Sequence, residues 1–144
     1  MVQSLLDQIA LRDLVMRYCR GCDRRDFALV RSLYHDDAID DHGTMFKGTP
    51  DEFVAWLPEA MAPWELTIHS ISNSLFVVDG DYAEGEHHAR AYHRTHPPSA
   101  RSLLSTAVTS TGTNAAMANG NFCIARWFSI MAKWLTSMRN HLRG

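Results

Sequence analysis

After Glu86 the chain has no acidic residue: all sixteen aspartates and glutamates lie at or before it, while seven of the fourteen lysines and arginines follow it. The formal net charge of −2 hides this asymmetry, which calls for an explanation in the last third of the chain. Cysteine is scarce. Cys19, Cys22 and Cys123 are too few and too odd in number for a disulfide framework, so a reducing compartment is expected, with the cytoplasm as default. No apolar run approaches the roughly 18 residues of a membrane span. Asp7, Gln8, Arg12 and Asp13 break up the first apolar stretch, which argues against a signal-peptide core. The motifs GxGxxG, P-loop and HExxH are absent, and no cofactor is expected. No repeat or linker appears before Pro98.

With 144 residues and 46% hydrophobic content, the chain fits one compact domain over 1–144 that buries its core without staples. Ser4 followed by Asp7 reads as an N-cap pair, and Leu11, Leu14, Val15, Tyr18 and Cys22 form an apolar stripe, so residues 4–23 are predicted to be a helix. Asp23 lies on the apolar side of that helix at its C-terminal end, where the helix dipole disfavours a carboxylate. Asp26 caps a second short helix with Phe27, Val30, Leu33 and Tyr34 turned inward, and HDDAIDDHG reads as a short strand in an acidic rim. Thr49, Pro50 and Glu52 make a capping box with proline at the first helical position, opening a helix that carries Phe53, Trp56 and Leu57.

Beyond Pro58 and Pro63, LTIHSISNSLFVV turns at Asp79 and Gly80 into YAEGEHHARAYHR, a long hairpin. A three-residue loop places Ala89 opposite His69, with His93 on the same face; a two-residue Asp79/Gly80 turn places Arg90 there instead. Three helices followed by long strands predict an α+β fold, with helices packed on one face of a curved antiparallel sheet and a pocket between them.

From Ser102 the text becomes small and polar, then turns into NFCIARWFSIMAKWLTSMRNHLRG. Taken literally, Ile124, Trp127, Phe128, Met131, Trp134, Leu135 and Met138 form a helical stripe, basic and amphipathic, so that a helix replaces the C-terminal strands. A second reading explains the missing acids. Back-translated and shifted by one base, Ala107 to Trp127 permits RYLDRYERRDGEWQFLHR, which alternates like a strand, turns on Asp-Gly and resumes as a second strand. We therefore expect the segment from about residue 102 to be a frame-shifted version of a two-strand hairpin.

The runs IALRDLVMRYCRGCDRRDF, LYHDDAIDDHG with MFKG, LTIHSISN and VVDGDYAEGEHHARAYHR resemble the SnoaL-like branch of the nuclear transport factor 2-like superfamily over about residues 4–100. Within it the chain resembles scytalone dehydratase and hexachlorocyclohexane dehydrochlorinase. The resemblance implies a cone-shaped curved sheet and a cofactor-independent lyase whose Asp–His dyad removes a proton during elimination. Asp23, in YCRGCD, matches the family's helix-end acid; His69, in TIHSISN, matches its strand histidine. For a second histidine on the next strand His93 is the better match and His88 the poorer. The pocket arginine of the dehydrochlorinase's RYE-type strand has no counterpart in the literal sequence. An isomerase or cyclase using the same pocket, or a non-catalytic ligand-binding or dimerisation domain, is the alternative.

Chemically, a histidine oriented by a buried carboxylate is held in one tautomer, and its free nitrogen becomes the better base. Tyr18 and Tyr34 are candidates to hold a substrate oxygen, and Trp56 and Trp64 to line an apolar pocket. Blander readings compete. An acid ending a helix is most often solvated, and a strand histidine is most often satisfied locally. Asp36, Asp37, Asp40, Asp41 and His42 invite a cation, but without a second cluster no metal site is assigned. Cys19 and Cys22 form a CxxC inside a helix, better read as buried thiols. Arg12, Arg17, Arg20, Arg24 and Arg25 are interleaved with acids and read as a solvated helix face, not a nucleic-acid surface. The expected partner is a small apolar or cyclic molecule, with homo-oligomerisation and neither nucleic acid nor membrane.

Overall fold

The predicted stripe becomes the buried side of helix α1, Val2–Arg24, in a computed structural model that describes residues 2–98, 101–118 and 121–128. Leu11, Leu14, Val15, Tyr18, Cys19 and Cys22 are all buried there, whereas Arg12, Arg17, Arg20 and Arg24 are exposed. The helix starts two residues before Ser4, so Ser4 lies within it and not at its cap. Its end is closed by two backbone hydrogen bonds, from Asp26 N–H to the Gly21 carbonyl at 2.9 Å and from Arg25 N–H to the Cys22 carbonyl at 3.2 Å. This is the Schellman pattern, which requires a left-handed residue between them. That residue is Arg25, at φ 55°, where glycine is the usual occupant. Its guanidinium reaches across to the Trp64 carbonyl at 2.7 Å and to Thr67 Oγ1 at 3.1 Å.

Helix α2, Phe27–Ser32, follows at once, with the Asp26 carboxylate accepting from Leu29 N–H. It packs close to α1 because position 21 is glycine: a Cβ there would stand 2.7 Å from Val30 Cγ2. Strand β1 is Tyr34–Asp41 and β2 is the two-residue Lys47–Gly48. Helix α3, Pro50–Met61, begins with the expected reciprocal capping box of Thr49 and Glu52 and buries Phe53 and Leu57. A cap of this kind is worth about 1 kcal/mol.

Four further strands follow among the described residues: β3 Trp64–Asp79, β4 Tyr82–Thr95, β5 Ser102–Ala118 and β6 Asn121–Phe128. They join the first two in a six-stranded sheet of order β2-β1-β6-β5-β4-β3. All neighbouring strands are antiparallel except β1 and β6. The α+β class is as expected, and α1 packs against β3 and β6.

Two expectations are corrected. Residues 121–128 are strand and not the start of an amphipathic helix; Met131, Trp134, Leu135 and Met138 lie outside the described residues. Tertiary context overrides the helical spacing, because this segment pairs with both β5 and β1 and Ile124, with no exposure, donates its N–H to the Leu33 carbonyl at 2.7 Å. The literal residues thus occupy the two-strand hairpin that the shifted frame was expected to restore. The register of the long hairpin also differs. The turn is Gly80-Asp81, and an extra residue on β3 between Ile71 and Ser74 shifts the pairing, so His69 faces Ala91 instead of Ala89 or Arg90. Such a bulge bends its strand and increases the twist.

Helix end and sheet edge are therefore joined through Arg25. Replacing it with glycine removes a backbone cost of about 1 kcal/mol but also removes the charged donor from Trp64 and Thr67, worth about 1.5–3 kcal/mol per bond. Urea denaturation is expected to show Arg25→Gly less stable than the parent by about 2–5 kcal/mol; a stabilised variant rules out the clamp.

Candidate active site

Asp23 is the last-turn acid of α1, and the closure of that helix by Arg25 turns it towards β3. Its two oxygens both serve His69. Oδ1 lies 2.7 Å from Nδ1 of the ring, and Oδ2 accepts the His69 backbone N–H at 2.8 Å. A carboxylate that grips both the ring and the backbone of one residue fixes the imidazole's rotation and puts the proton on Nδ1, leaving Nε2 as the free base. Both side chains are about one-fifth exposed, at 20% for Asp23 and 24% for His69. Burial pushes the Asp23 pKa up, but hydrogen bonds from the His69 ring and backbone outweigh it, with further help from the His69 charge and the Thr67 hydroxyl, and the net shift is downward. Thr67, 1% exposed, takes the Arg25 bond on its other side, so a chain of contacts runs from Arg25 through Thr67 to Asp23.

A cavity of about 320 Å³ opens beside this pair, walled by α1, α3, the loop after β1 and the inner face of β3, β4 and β5. Its lining is mainly apolar and includes Cys19, Phe53, Trp56, Leu57, Trp64 and Ile71. That volume suits a small ligand. Alternation along β4 sends His87, Ala89, Ala91 and His93 into the cavity while His88 and Arg90 are exposed on the other side. His93 lies edge-on to His69, with ring centroids 5.9 Å apart, and packs on Trp64 at 4.9 Å. Its pKa is lowered by burial first, then by the charges of His69 and Arg25, so it is neutral near pH 7. His87 is 1% exposed; its Nδ1 lies 3.0 Å from Ser74 Oγ, its Nε2 has no hydrogen-bond partner among the described residues, and burial pulls its pKa down to about 4.

The cavity wall carries a second polar group. Asp40 has no exposure; Tyr34 donates its hydroxyl to Oδ2, and Oδ1 stands 3.0 Å from Nε2 of His42. Tyr18, which lines the cavity, has its hydroxyl 3.4 Å from that same nitrogen. Burial, followed by Cys22, Tyr34 and Asp40, raises the Tyr18 pKa far above the ordinary phenol value, so it stays protonated.

Most of the residues singled out from the sequence converge. Asp23 meets His69, His93 stands beside them, and Tyr18, Trp56 and Trp64 line the same cavity. Tyr34 does not line it: its hydroxyl is engaged by Asp40 inside the core, which corrects its assignment as a substrate-binding residue. Cys19 and Cys22 are buried free thiols, and burial pushes Cys19 up to about 12 and Cys22 also upward, leaving no reactive thiolate. Asp36 and Asp51 pair with Arg31, and Asp41 with Lys47. Among the described residues no three His, Cys, Asp or Glu side chains converge as metal ligands, and no helix is long and apolar enough to cross a membrane.

Sequence reasoning missed the roles of Arg25, Thr67, His87 and His42. The first two needed the packing of α1 on β3. For His87 a signal existed, since it shares the period-two face of His93 in EHHARAYH.

The chain belongs to the SnoaL-like domain family, whose model matches residues 3–139. Solved structures share its fold. The hexachlorocyclohexane dehydrochlorinase of Novosphingobium barchaimii is 18% identical with a TM-score of 0.81, covering 92% of this chain and 90% of its own. A candidate scytalone dehydratase from Novosphingobium aromaticivorans is 17% identical with a TM-score of 0.76, covering 92% and 89%. A candidate dehydratase of the nuclear transport factor 2-like family from Streptomyces avermitilis is 13% identical at 0.76, covering 86% and 95%. None of the curated proteins matches.

His87 gives a test of the cavity's interior. Its folded pKa of about 4 lies below the unfolded value, so the neutral imidazole stabilises the fold above pH 6.5, and that contribution is lost as pH falls from about 6.5 through about 4. His93 acts in the same direction. Stability by urea titration should fall by about 2–3 kcal/mol across this window, with a clearly shallower fall in His87→Gln.

Proposed function

We propose that this protein is a cofactor-independent lyase of the dehydratase or dehydrochlorinase type, acting on a small apolar or cyclic molecule. His69 Nε2 takes a proton from a carbon next to an activating group, Asp23 orients the ring and stabilises the imidazolium that forms, and a leaving group departs from the neighbouring carbon. The observation that carries this reading is the two-pronged contact of Asp23 with His69, at 2.7 Å to the ring and 2.8 Å to the backbone, beside a mainly apolar cavity. A dyad that only stabilised the fold would have no need of a cavity at its open nitrogen.

In this reading His93 lines the base side of the substrate as a neutral hydrogen-bonding group, Tyr18 donates to a substrate oxygen, and Trp56 and Trp64 exclude water. The dehydrochlorinase and dehydratase names of the fold neighbours support the reaction class. Self-association is part of the same proposal, because β3 is an edge strand and Leu75, Val77 and Tyr82 leave the hairpin's outer face apolar and exposed.

The test is a screen of small cyclic alcohols, ketones and halides for appearance of the conjugated or unsaturated product. On a substrate the parent turns over, Asp23→Asn and His69→Ala are each expected to lower kcat by about 10²- to 10⁴-fold while the fold is retained. Binding of such molecules without turnover by the parent would instead identify a non-catalytic ligand-binding domain.

A further inference from the structure

Arg25 closes a helix in the left-handed region, at φ 55°, where glycine is the favoured occupant. Arg24, one residue earlier, is exposed, whereas the Arg25 guanidinium is turned to the sheet and meets three acceptors. Nη1 donates to the Asp23 carbonyl at 3.2 Å and to Thr67 Oγ1 at 3.1 Å, and Nη2 donates to the Trp64 carbonyl at 2.7 Å. Those acceptors belong to the two elements that carry the dyad. Asp23 supplies one of them, and Thr67 precedes His69 by two residues, which puts both on the same face of β3.

A clamp between helix and strand needs only the two carbonyls. The third bond ends on a hydroxyl, at a strand position 1% exposed where valine fits the pleat as well and buries no polar atom. The direction of that bond is fixed, because a guanidinium has donors and no acceptor. Thr67 Oγ1 is therefore the acceptor, and its own hydrogen has to be placed elsewhere. At this burial water is excluded, and the acceptor that the hydroxyl meets is the Asp23 carboxylate. Hydrogen bonds thus run one way, from Arg25 to Thr67 to Asp23, while Asp23 also accepts from the ring and the backbone of His69. A third donor on a carboxylate favours its ionised form and restricts its rotation.

Building on the lyase reading above, we infer that Arg25 and Thr67 are positioning residues of the dyad: the guanidinium orients the Thr67 hydroxyl onto Asp23, which keeps the carboxylate ionised and aligned with His69 while the imidazole gains and loses its proton. Neither residue is part of the cavity lining, so neither touches the substrate. Their contribution falls on the reaction step and not on binding, since a carboxylate that rotates or takes up a proton no longer fixes the tautomer and orientation of the base. The strained backbone at residue 25 stands beside the site for the same reason. Glycine there relieves the strain but leaves Thr67 without the donor that sets the direction of its hydroxyl.

Two measurements test this, one without substrate and one with it. NMR of isotope-labelled protein follows the Asp23 carboxyl carbon through an acid titration, and deuterium exchange at the α-carbon of cyclohexanone reports proton removal by His69. Removing a donor raises the Asp23 pKa from its depressed value. Thr67→Val is therefore expected to move the Asp23 titration, and with it the acidic limb of the exchange profile, to higher pH. It should also lower kcat for exchange by about 10- to 100-fold with KM changed by less than about threefold. Thr67→Ser, which keeps the hydroxyl, should restore both readouts. Arg25→Gly should shift them in the same direction as Thr67→Val, and guanidinium chloride at millimolar concentration, far below denaturing levels, should reverse the shift where sodium chloride does not. The Thr67 pair decides the matter if Arg25→Gly does not fold. An Asp23 titration equal in parent, Thr67→Val and Arg25→Gly, equal losses in Thr67→Ser and Thr67→Val, or no reversal by guanidinium overturns the inference and leaves the His69–Asp23 reading standing. A parent that exchanges no α-proton from cyclohexanone or from any ketone of the screen overturns the lyase reading, while the titration still decides whether Arg25 and Thr67 hold Asp23 ionised.

Discussion

The structure depends on one carboxylate that holds two parts of a single residue. Asp23 sits at the end of a 23-residue helix and His69 in a 16-residue strand, and the bonds from the two Asp23 oxygens fix the helix end to the strand at the level of the imidazole. A single contact to the ring would leave the helix free to slide along the strand. The second, to the backbone, removes that freedom, and the Arg25 guanidinium repeats the constraint one turn away at Trp64 and Thr67. The left-handed backbone of Arg25 is the cost of this arrangement, since glycine closes a helix more cheaply but brings no guanidinium.

From that junction the cavity follows. Helix α1 runs over the sheet with Tyr18, Cys19 and Cys22 facing inward; α3 supplies Phe53, Trp56 and Leu57; and β4 supplies alternate residues, small at Ala89 and Ala91 and imidazole at His87 and His93. Small side chains in the middle of a strand leave space, and aromatic walls keep water out of it. The polar groups among the lining residues are the imidazoles of His42, His69, His87 and His93 and the hydroxyls of Tyr18 and Ser105. Burial then sorts their protonation: histidines with no carboxylate against the ring are driven neutral, Tyr18 is kept protonated, and Asp23 stays ionised because His69 offers it two donors.

The sequence carried some of this openly. Apolar spacing gave α1 and its buried face, the Thr49–Glu52 capping box gave the start of α3, and the alternation around His69 and His93 gave the hairpin and the shared face. Those are local signals, readable because a helix repeats every 3.6 residues and a strand every 2. The segment after residue 120 misled for the same reason. Ile124, Trp127 and Phe128 carry helical spacing, yet residues 121–128 pair with β1 and β5, and long-range pairing outweighs a local period.

What the sequence alone determined is therefore the three helices, the long hairpin and the α+β class, and family resemblance singled out Asp23 and His69 as candidates. What tertiary structure decided is everything that depends on distance between separate elements. The bulge between Ile71 and Ser74 set the register opposite His69, packing turned the Tyr34 hydroxyl to Asp40 and away from the cavity, and the loop after β1 carried His42 into the cavity wall. Local spacing encodes the face on which a side chain emerges. Which partner it meets there is fixed only when helix and sheet close on each other, because that choice rests on contacts between residues far apart in the chain.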